Sequence, residues 1–427
     1  MSEPSRGRPR TRESGEERPL AAAHWLRAPE SRTVFEAITR GGEPARFVGG
    51  CVRDTLLDPA FDPDDLDIAT AARPEVVLRR LEDAGIRAVP TGIAHGTVTA
   101  VLGGRSYEIT TLRRDVETYG RHARVEFTDD FEADAARRDF TINAMSCDLE
   151  GRLFDPFGGR LDLNAGRVRF VGRARDRIRE DYLRILRFFR FFARYGRPPP
   201  DAEALAACAR EAEGLRRLSA ERIRQELARL LVAPGAVLSL RLMERTGVLA
   251  RILPVAADID RLERLIALAP ESDWLLRLAA LLRGRIRDAR EVEALAERLR
   301  LSRRERERLA VLLLAELPDP AAARTVHEQA AYRLGAGRYL DLLRLAAAEG
   351  RMDAERLAAL TATVTAFEPP RFPLRGRDLL EAGIPPGPQM GALLRALEEW
   401  WVARAFRPDR EQLMAELRRR LRGHGNS

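Results

Sequence analysis

The sequence predicts a small α/β head built on a mixed sheet, followed by a long all-helical remainder. Residues 46–159 alternate β-rich runs with short amphipathic segments and glycine turns. After Val171 strand-like runs are nearly absent, and from about residue 165 arginine-rich helical periodicity takes over. Prolines then punctuate the helices, at Pro198-Pro199-Pro200, Pro234, Pro254, Pro318, Pro320, Pro369-Pro370 and Pro385-Pro386.

At 427 residues the chain exceeds one compact core and implies roughly two to four packed units. The expected divisions are a disordered basic tail over 1–22, an α/β head over 23–164, and helical parts over 165–235, 236–368 and 369–427. No apolar run reaches the length of a membrane span and no signal-peptide pattern opens the chain, so a cytoplasmic protein without a membrane partner is expected. Cys51, Cys147 and Cys208 lie far apart without CxxC spacing, which indicates neither a zinc site nor a disulfide framework. The formal net charge is +8, and all 73 basic residues are arginine. A basic excess suits a polyanion such as RNA, whereas the total lack of lysine reads as a genome-wide bias.

Taken in order, Ser31 to Thr39 reads as a short helix leading into a strand at Arg46 to Val48. Gly49 and Gly50 stop that strand, and Cys51 to Leu57 reads as the start of a helix. A strand-Gly-Gly-helix junction lets backbone approach a ligand and points free N–H groups at it, so it suits a phosphate. Arg53, one turn in, adds a fixed positive charge. Next comes Asp65-Leu66-Asp67. In a strand, residues two apart share a face, so the two carboxylates stand side by side and call for a cation. An acidic loop explains the same letters.

Arg73 to Ala84 reads as a helix. Gly96 to Leu102 and Tyr107 to Leu112 read as two strands of a hairpin joined at Gly103-Gly104. Glu108 then either turns a third carboxylate toward Asp65 and Asp67 or faces solvent. In Arg137-Arg138-Asp139-Phe140-Thr141-Ile142-Asn143, Arg138 suits a triphosphate while Asp139 and Asn143 suit a ribose hydroxyl; a local Arg-Asp ion pair is the alternative.

Asp176 to Tyr195 is expected to be one helix. Glu180, Asp181, Arg184, Arg187 and Arg190 recur at spacings of three and four, which is either an ion-pair ladder of about 0.2–0.5 kcal/mol per pair or a reader of base edges. Cytosine and adenine present an amino donor beside a ring-nitrogen acceptor. An ionised Asp181 only accepts and Arg184 only donates, so the pair matches C and A and clashes with U and G.

The motifs GGCVRD, DLD, PTGIAHGTVT, YEITTLRRD, RRDFTINAM and REDYLRILRFFRF span residues 46–195. In order and spacing they resemble the class II CCA-adding tRNA nucleotidyltransferases, in the branch that also holds bacterial poly(A) polymerases. Weaker likeness continues in Leu218 to Ile223 and Phe372 to Leu380. The resemblance implies a head of the polymerase β-like nucleotidyltransferase type, then a neck over 165–235 for base recognition, a body over 236–368 and a tail over 369–427. It implies Mg²⁺ as cofactor, with Asp65 and Asp67 as metal ligands and Glu108 as a third carboxylate. Gly49, Gly50 and Arg53 would hold the triphosphate, and Arg138, Asp139 and Asn143 the triphosphate and ribose. Asp181 and Arg184 would read the incoming base, supported by Arg187 and Arg190. CTP, ATP and the tRNA acceptor arm would be the partners, with no protein partner.

Two departures stand out. Asp64 occupies a position where the family often has a basic residue. The chain also has five histidines and no His-Asp dipeptide, so no second metal hydrolase is expected. The rivals are a poly(A) polymerase, a split enzyme adding only CC or only A, and a non-catalytic RNA-binding protein on the same scaffold. Arg113 to Arg124, with Tyr119-Gly120-Arg121-His122, resembles the flexible loop that A addition requires in the family, and argues against a CC-only enzyme.

Overall fold

The computed structural model describes residues 18–92, 96–119 and 122–424. His95 of the PTGIAHGTVT motif, Gly120 and Arg121 of the loop motif, and most of the expected tail lie outside them. The chain divides into two compact units, Met1–Ile252 and Leu253–Ser427.

In the first unit the strands are β1 (Ala45–Val48), β2 (Asp65–Thr70), β3 (Arg87–Gly92), β4 (Thr97–Leu102), β5 (Arg105–Thr111), β6 (Arg113–Tyr119), β7 (His122–Phe127), β8 (Ser146–Cys147) and β9 (Leu153–Phe154). Seven of them form one mixed sheet in the order β3-β4-β5-β2-β1-β8-β9. The expected hairpin is β4-β5, paired antiparallel. The helices read at Ser31–Thr39, Cys51–Leu57 and Arg73–Ala84 are Pro29–Thr39, Gly50–Leu57 and Pro74–Asp83.

β2 and β5 run parallel with Asp67 opposite Glu108. Along β2, Leu66 and Ile68 are buried while Asp65 and Asp67 are exposed; along β5, Tyr107 and Ile109 are buried and Glu108 is exposed. One face therefore goes to the core and the other gathers the acids.

Three expectations are corrected. The segment read as a loop from Arg113 to Arg124 is occupied by β6 and β7, which pair as a separate two-stranded sheet. Leu20, inside the tail read over 1–22, is fully buried and its N–H bonds the Gly151 carbonyl. Gly151 permits this approach: its φ is +77°, and a Cβ there would lie 2.4 Å from the Ala21 nitrogen. The helix read from Asp176 to Tyr195 is two helices, Ala174–Glu180 and Leu183–Tyr195. Asp181 breaks it with an extended backbone (φ −153°, ψ 107°), and its Oδ1 accepts the Leu183 N–H at 3.1 Å. A short acidic side chain that bonds nearby backbone competes with the helix ladder and caps the next helix instead.

An aromatic core seats the second of these helices on the head. The Phe140 ring lies 4.9 Å from Phe170, 5.2 Å from Phe191 and 6.5 Å from Phe188. Each fully buried phenylalanine contributes about 1.5–3 kcal/mol, more than a surface ion pair, so this cluster sets the helix position and its arginines follow.

The second unit is helical from Ile259–Leu268 to Arg410–His424. Its buried His327 bonds the Tyr339 hydroxyl through Nδ1 at 2.7 Å. Near its end, Trp401 packs with Leu379, Leu397, Leu413 and Leu417, and donates its indole N–H to the Pro408 carbonyl. Among the described residues no helix is long and apolar enough to cross a membrane.

Candidate active site

The site forms where β1, β2 and β5 meet the helix Leu183–Tyr195. Gly49 ends β1 with φ +76°, ψ −125°, a conformation costly for other residues, and opens the helix Gly50–Leu57. A Cβ on Gly49 would stand 3.1 Å from Arg138 Nη1 and 3.5 Å from Asp67 Oδ2. The missing side chain thus brings the glycine backbone against both a guanidinium and a carboxylate.

Asp65, Asp67 and Glu108 share one sheet face. Asp67 is open to the cleft yet crowded by protein. Burial raises its carboxyl and the Glu108 and Asp65 carboxylates add to this, against the pull of Arg138 and Arg53, leaving it at about 6. Among the described residues no three His, Cys, Asp or Glu side chains close around one point. Two adjacent carboxylates with a third opposite, all oxygen donors that repel one another, fit a hard divalent cation that keeps positions for water and phosphate.

Arg53 is 8% exposed and heavily braced. It donates to both Asp54 oxygens at 2.8 and 2.9 Å and to Asn143 Oδ1, and lies 4.4 Å above the Tyr195 ring, whose hydroxyl donates to Asp54. Arg138 is more open. It donates to the Asn143 carbonyl at 3.3 Å and stands 3.7 Å from Asp134.

Asp139 does not pair with its neighbour Arg138. Its Oδ1 accepts the Phe140 N–H and the Asn143 amide, and its Oδ2 accepts Arg187 Nε at 2.6 Å. Burial alone would raise its carboxyl, but the Arg187 charge and the Asn143 amide outweigh that and hold it below the usual range.

A cavity of about 420 Å³ brings together Gly49, Gly50, Arg53, Asp67, Arg138, Asp139, Asn143, Asp181, Arg184 and Arg187. Arg190 is not in its wall; it pairs with the buried Glu226 of helix Ala220–Leu231. Asp65 and Glu108 lie on the sheet side, Glu108 in an adjoining cavity that shares Asp67 and Arg138.

Two residues missed in the sequence brace this site, Arg222 in the wall itself and Glu226 behind it. Arg222 holds both oxygens of Asp181, and Glu226 stands 3.8 Å from Arg187 besides holding Arg190. The only signal for them was the Leu218 to Ile223 likeness, which ends before Glu226. With Arg222 and the Leu183 N–H in place, Asp181 keeps one acceptor position, on Oδ2. Arg184 donates to Glu180 and to the Arg177 and Arg137 carbonyls, so its head group is aimed by the helix Ala174–Glu180 and by the segment before Asp139.

The family described as "Poly A polymerase head domain" matches residues 45–169, and "Probable RNA and SrmB- binding site of polymerase A" matches 200–259. The mouse protein named "CCA tRNA nucleotidyltransferase 1, mitochondrial" is 34% identical over 420 residues, covering 92% of this chain and 93% of the relative. The CCA-adding enzyme of Geobacillus kaustophilus is 30% identical over 404 residues, covering 92% and 96%. The crystal structure of the Bacillus stearothermophilus CCA-adding enzyme in complex with CTP is similar with a TM-score of 0.73 at 29% identity, covering 93% of this chain and 98% of that one. With a carboxylate-bearing sheet, a glycine cradle and relatives alike along nearly their whole length, the chain belongs to the family of CCA-adding tRNA nucleotidyltransferases.

Proposed function

We propose that the protein adds C, C and A to the 3′ end of tRNA from CTP and ATP, without a nucleic-acid template and with release of pyrophosphate. The observation that carries this reading is that Asp181 and Arg184 wall the same cavity as Gly50, Asp67 and Arg138. A base held between an acceptor and a donor there would place its triphosphate on the cradle.

The remaining acceptor on Asp181 suits the amino group shared by cytosine and adenine, and Arg184 suits their ring nitrogen. Uracil and guanine offer the reverse pattern and leave both side chains unpaired. Gly49 and Gly50 expose backbone to the phosphates, while Arg53 and Arg138 neutralise them. Asp139 keeps one acceptor position on Oδ2 for a ribose hydroxyl, and Arg187 fixes its orientation. Arg190, through Glu226, steadies the helix that carries Arg184 and Arg187. Two Mg²⁺ ions on Asp65 and Asp67, beside Glu108, would supply charge neutralisation at the triphosphate and activation of the terminal ribose hydroxyl. The net charge of +8 supports an RNA substrate, with body and tail holding the acceptor arm.

The test is to sequence RNA 3′ ends after incubating the protein with Mg²⁺, ATP, CTP and a tRNA transcript that ends at the discriminator base. Ends of CCA and no longer support the reading. Runs of A would favour the second reading, a poly(A) polymerase, to which the head-domain match also lends weight. Ends in CC alone would make it a split enzyme, and unextended RNA would leave a binding protein.

A further inference from the structure

Tyr195, the last residue of the helix Leu183–Tyr195, touches both members of one ion pair. Its ring centre lies 4.4 Å from the Arg53 guanidinium, and its hydroxyl donates to Asp54 Oδ1 at 2.9 Å. Arg53 and Asp54 are successive residues of the helix Gly50–Leu57, and successive positions on a helix point about 100° apart. Helix spacing alone therefore does not bring the two side chains together; a third group has to turn the carboxylate back. The Tyr195 hydroxyl holds the same oxygen that accepts Arg53 Nε, and the ring closes one face of the guanidinium. Nε and one N–H of Nη2 go to Asp54 and one N–H of Nη1 goes to Asn143, so each terminal nitrogen keeps one N–H. Nη2 lies 3.7 Å from where a Cβ on Gly50 would stand, and Arg53 and Gly50 both wall the nucleotide cavity. Tyr195 stands behind them, outside that wall.

We propose that Tyr195 is a positioning residue for the phosphates of the incoming nucleotide, and that it acts through Asp54 by fixing the direction in which Arg53 presents its two remaining N–H groups. The inference rests on the reading of this cavity as the nucleotide site. A guanidinium forks toward phosphate oxygens in one plane, so its grip is strongest when that plane is set before the ligand arrives. A free arginine would lose its rotamer freedom only on binding; the tyrosine ring and the turned carboxylate remove that freedom in advance. The helix that carries Arg184 near its start carries Tyr195 at its end, so one helix sets both the base reader and, through Asp54, the phosphate arm.

The experiment titrates the wild type, Tyr195→Phe, Arg53→Gln and the double variant by calorimetry with CTP, UTP and, separately, inorganic pyrophosphate, each with Mg²⁺, and adds a thermal melt of each protein. Tyr195→Phe keeps the ring and loses only the hydroxyl. It is expected to weaken CTP and pyrophosphate alike, about fivefold, and to leave the preference for CTP over UTP as it was. In the Arg53→Gln background the same change should cost nothing further, because the residue through which it acts is gone. Equal losses in both backgrounds would overturn the proposal. So would an unchanged affinity for pyrophosphate beside a lowered melting temperature, which would leave Tyr195 a purely structural residue. A lost preference for CTP would overturn it too, by showing that the hydroxyl acts through the helix and not through Arg53. Wild-type 3′ ends other than CCA would sink the CCA reading alone, because the affinity for pyrophosphate is scored without RNA.

Discussion

Asp181 and Arg222 form a bidentate ion pair, Nη1 to Oδ1 at 3.2 Å and Nη2 to Oδ2 at 2.6 Å, joining the break in the neck to the helix Ala220–Leu231. Both partners are about a quarter exposed, so the pair is neither dry nor fully screened. Its consequence is orientation. A carboxylate clamped at both oxygens presents its remaining lone pair in one direction.

Arg222→Ala therefore should blur nucleotide choice while leaving the fold intact. We expect kcat/KM for CTP and ATP to fall about tenfold, with a smaller fall for UTP and GTP. Steady-state rates with all four nucleotides check this, and uniform losses would show that Arg222 serves stability alone.

Gly49→Ala tests the cradle. The backbone conformation costs a side chain about 1–3 kcal/mol, and the new methyl would press on Arg138 at 3.1 Å. Thermal unfolding should show that loss, and the KM for both nucleotides should rise.

Part of this site was legible because strands repeat every two residues: Asp65 and Asp67 share the face that their spacing foretold, and Glu108, whose direction the pattern left open, lies opposite Asp67. Local periodicity also misled. The run from Asp176 to Tyr195 keeps helical spacing through Asp181, and only the cross-element bond to Arg222 and the cap on Leu183 reveal the break. Arg222 and Glu226 act through partners distant in sequence, and no short-range pattern marks such pairs. The β6-β7 pair was hidden by its charge, since arginines and acids fill positions where strands usually show apolar residues.

Asp67→Asn should abolish nucleotide addition yet stabilise the metal-free protein at neutral pH. With its folded value raised to about 6, Asp67 keeps up to that pH a proton that the unfolded chain has already released, and above it must ionise against Glu108 and Asp65. Its contribution is fully present below the ordinary carboxylate range and is lost as pH rises through about 6. Discounted for solvent, the gain in the variant is about 1 kcal/mol. Thermal melts from pH 5 to 8 should show the variant overtaking the wild type as pH rises.

Asp139 carries the opposite sign. Arg187 and Asn143 hold its carboxyl low, so its stabilisation is present at neutral pH and lost as pH falls through its depressed folded value. Asp139→Ala removes the Arg187 guanidinium's close partner, leaving Glu226 at 3.8 Å, and should cost about 1–3 kcal/mol. Denaturant titrations at pH 7 and pH 3 check both size and sign: the gap between variant and wild type should narrow in acid.

The most direct measurement asks whether side chains choose the nucleotide. Asp181→Asn keeps the shape but replaces the remaining acceptor with an amide donor. Measured as kcat/KM for CTP, ATP, UTP and GTP on one tRNA transcript, the wild type should favour C and A, and the variant should lose at least about tenfold of that preference. An unchanged preference in an active Asp181→Asn enzyme would contradict base reading by Asp181 and Arg184.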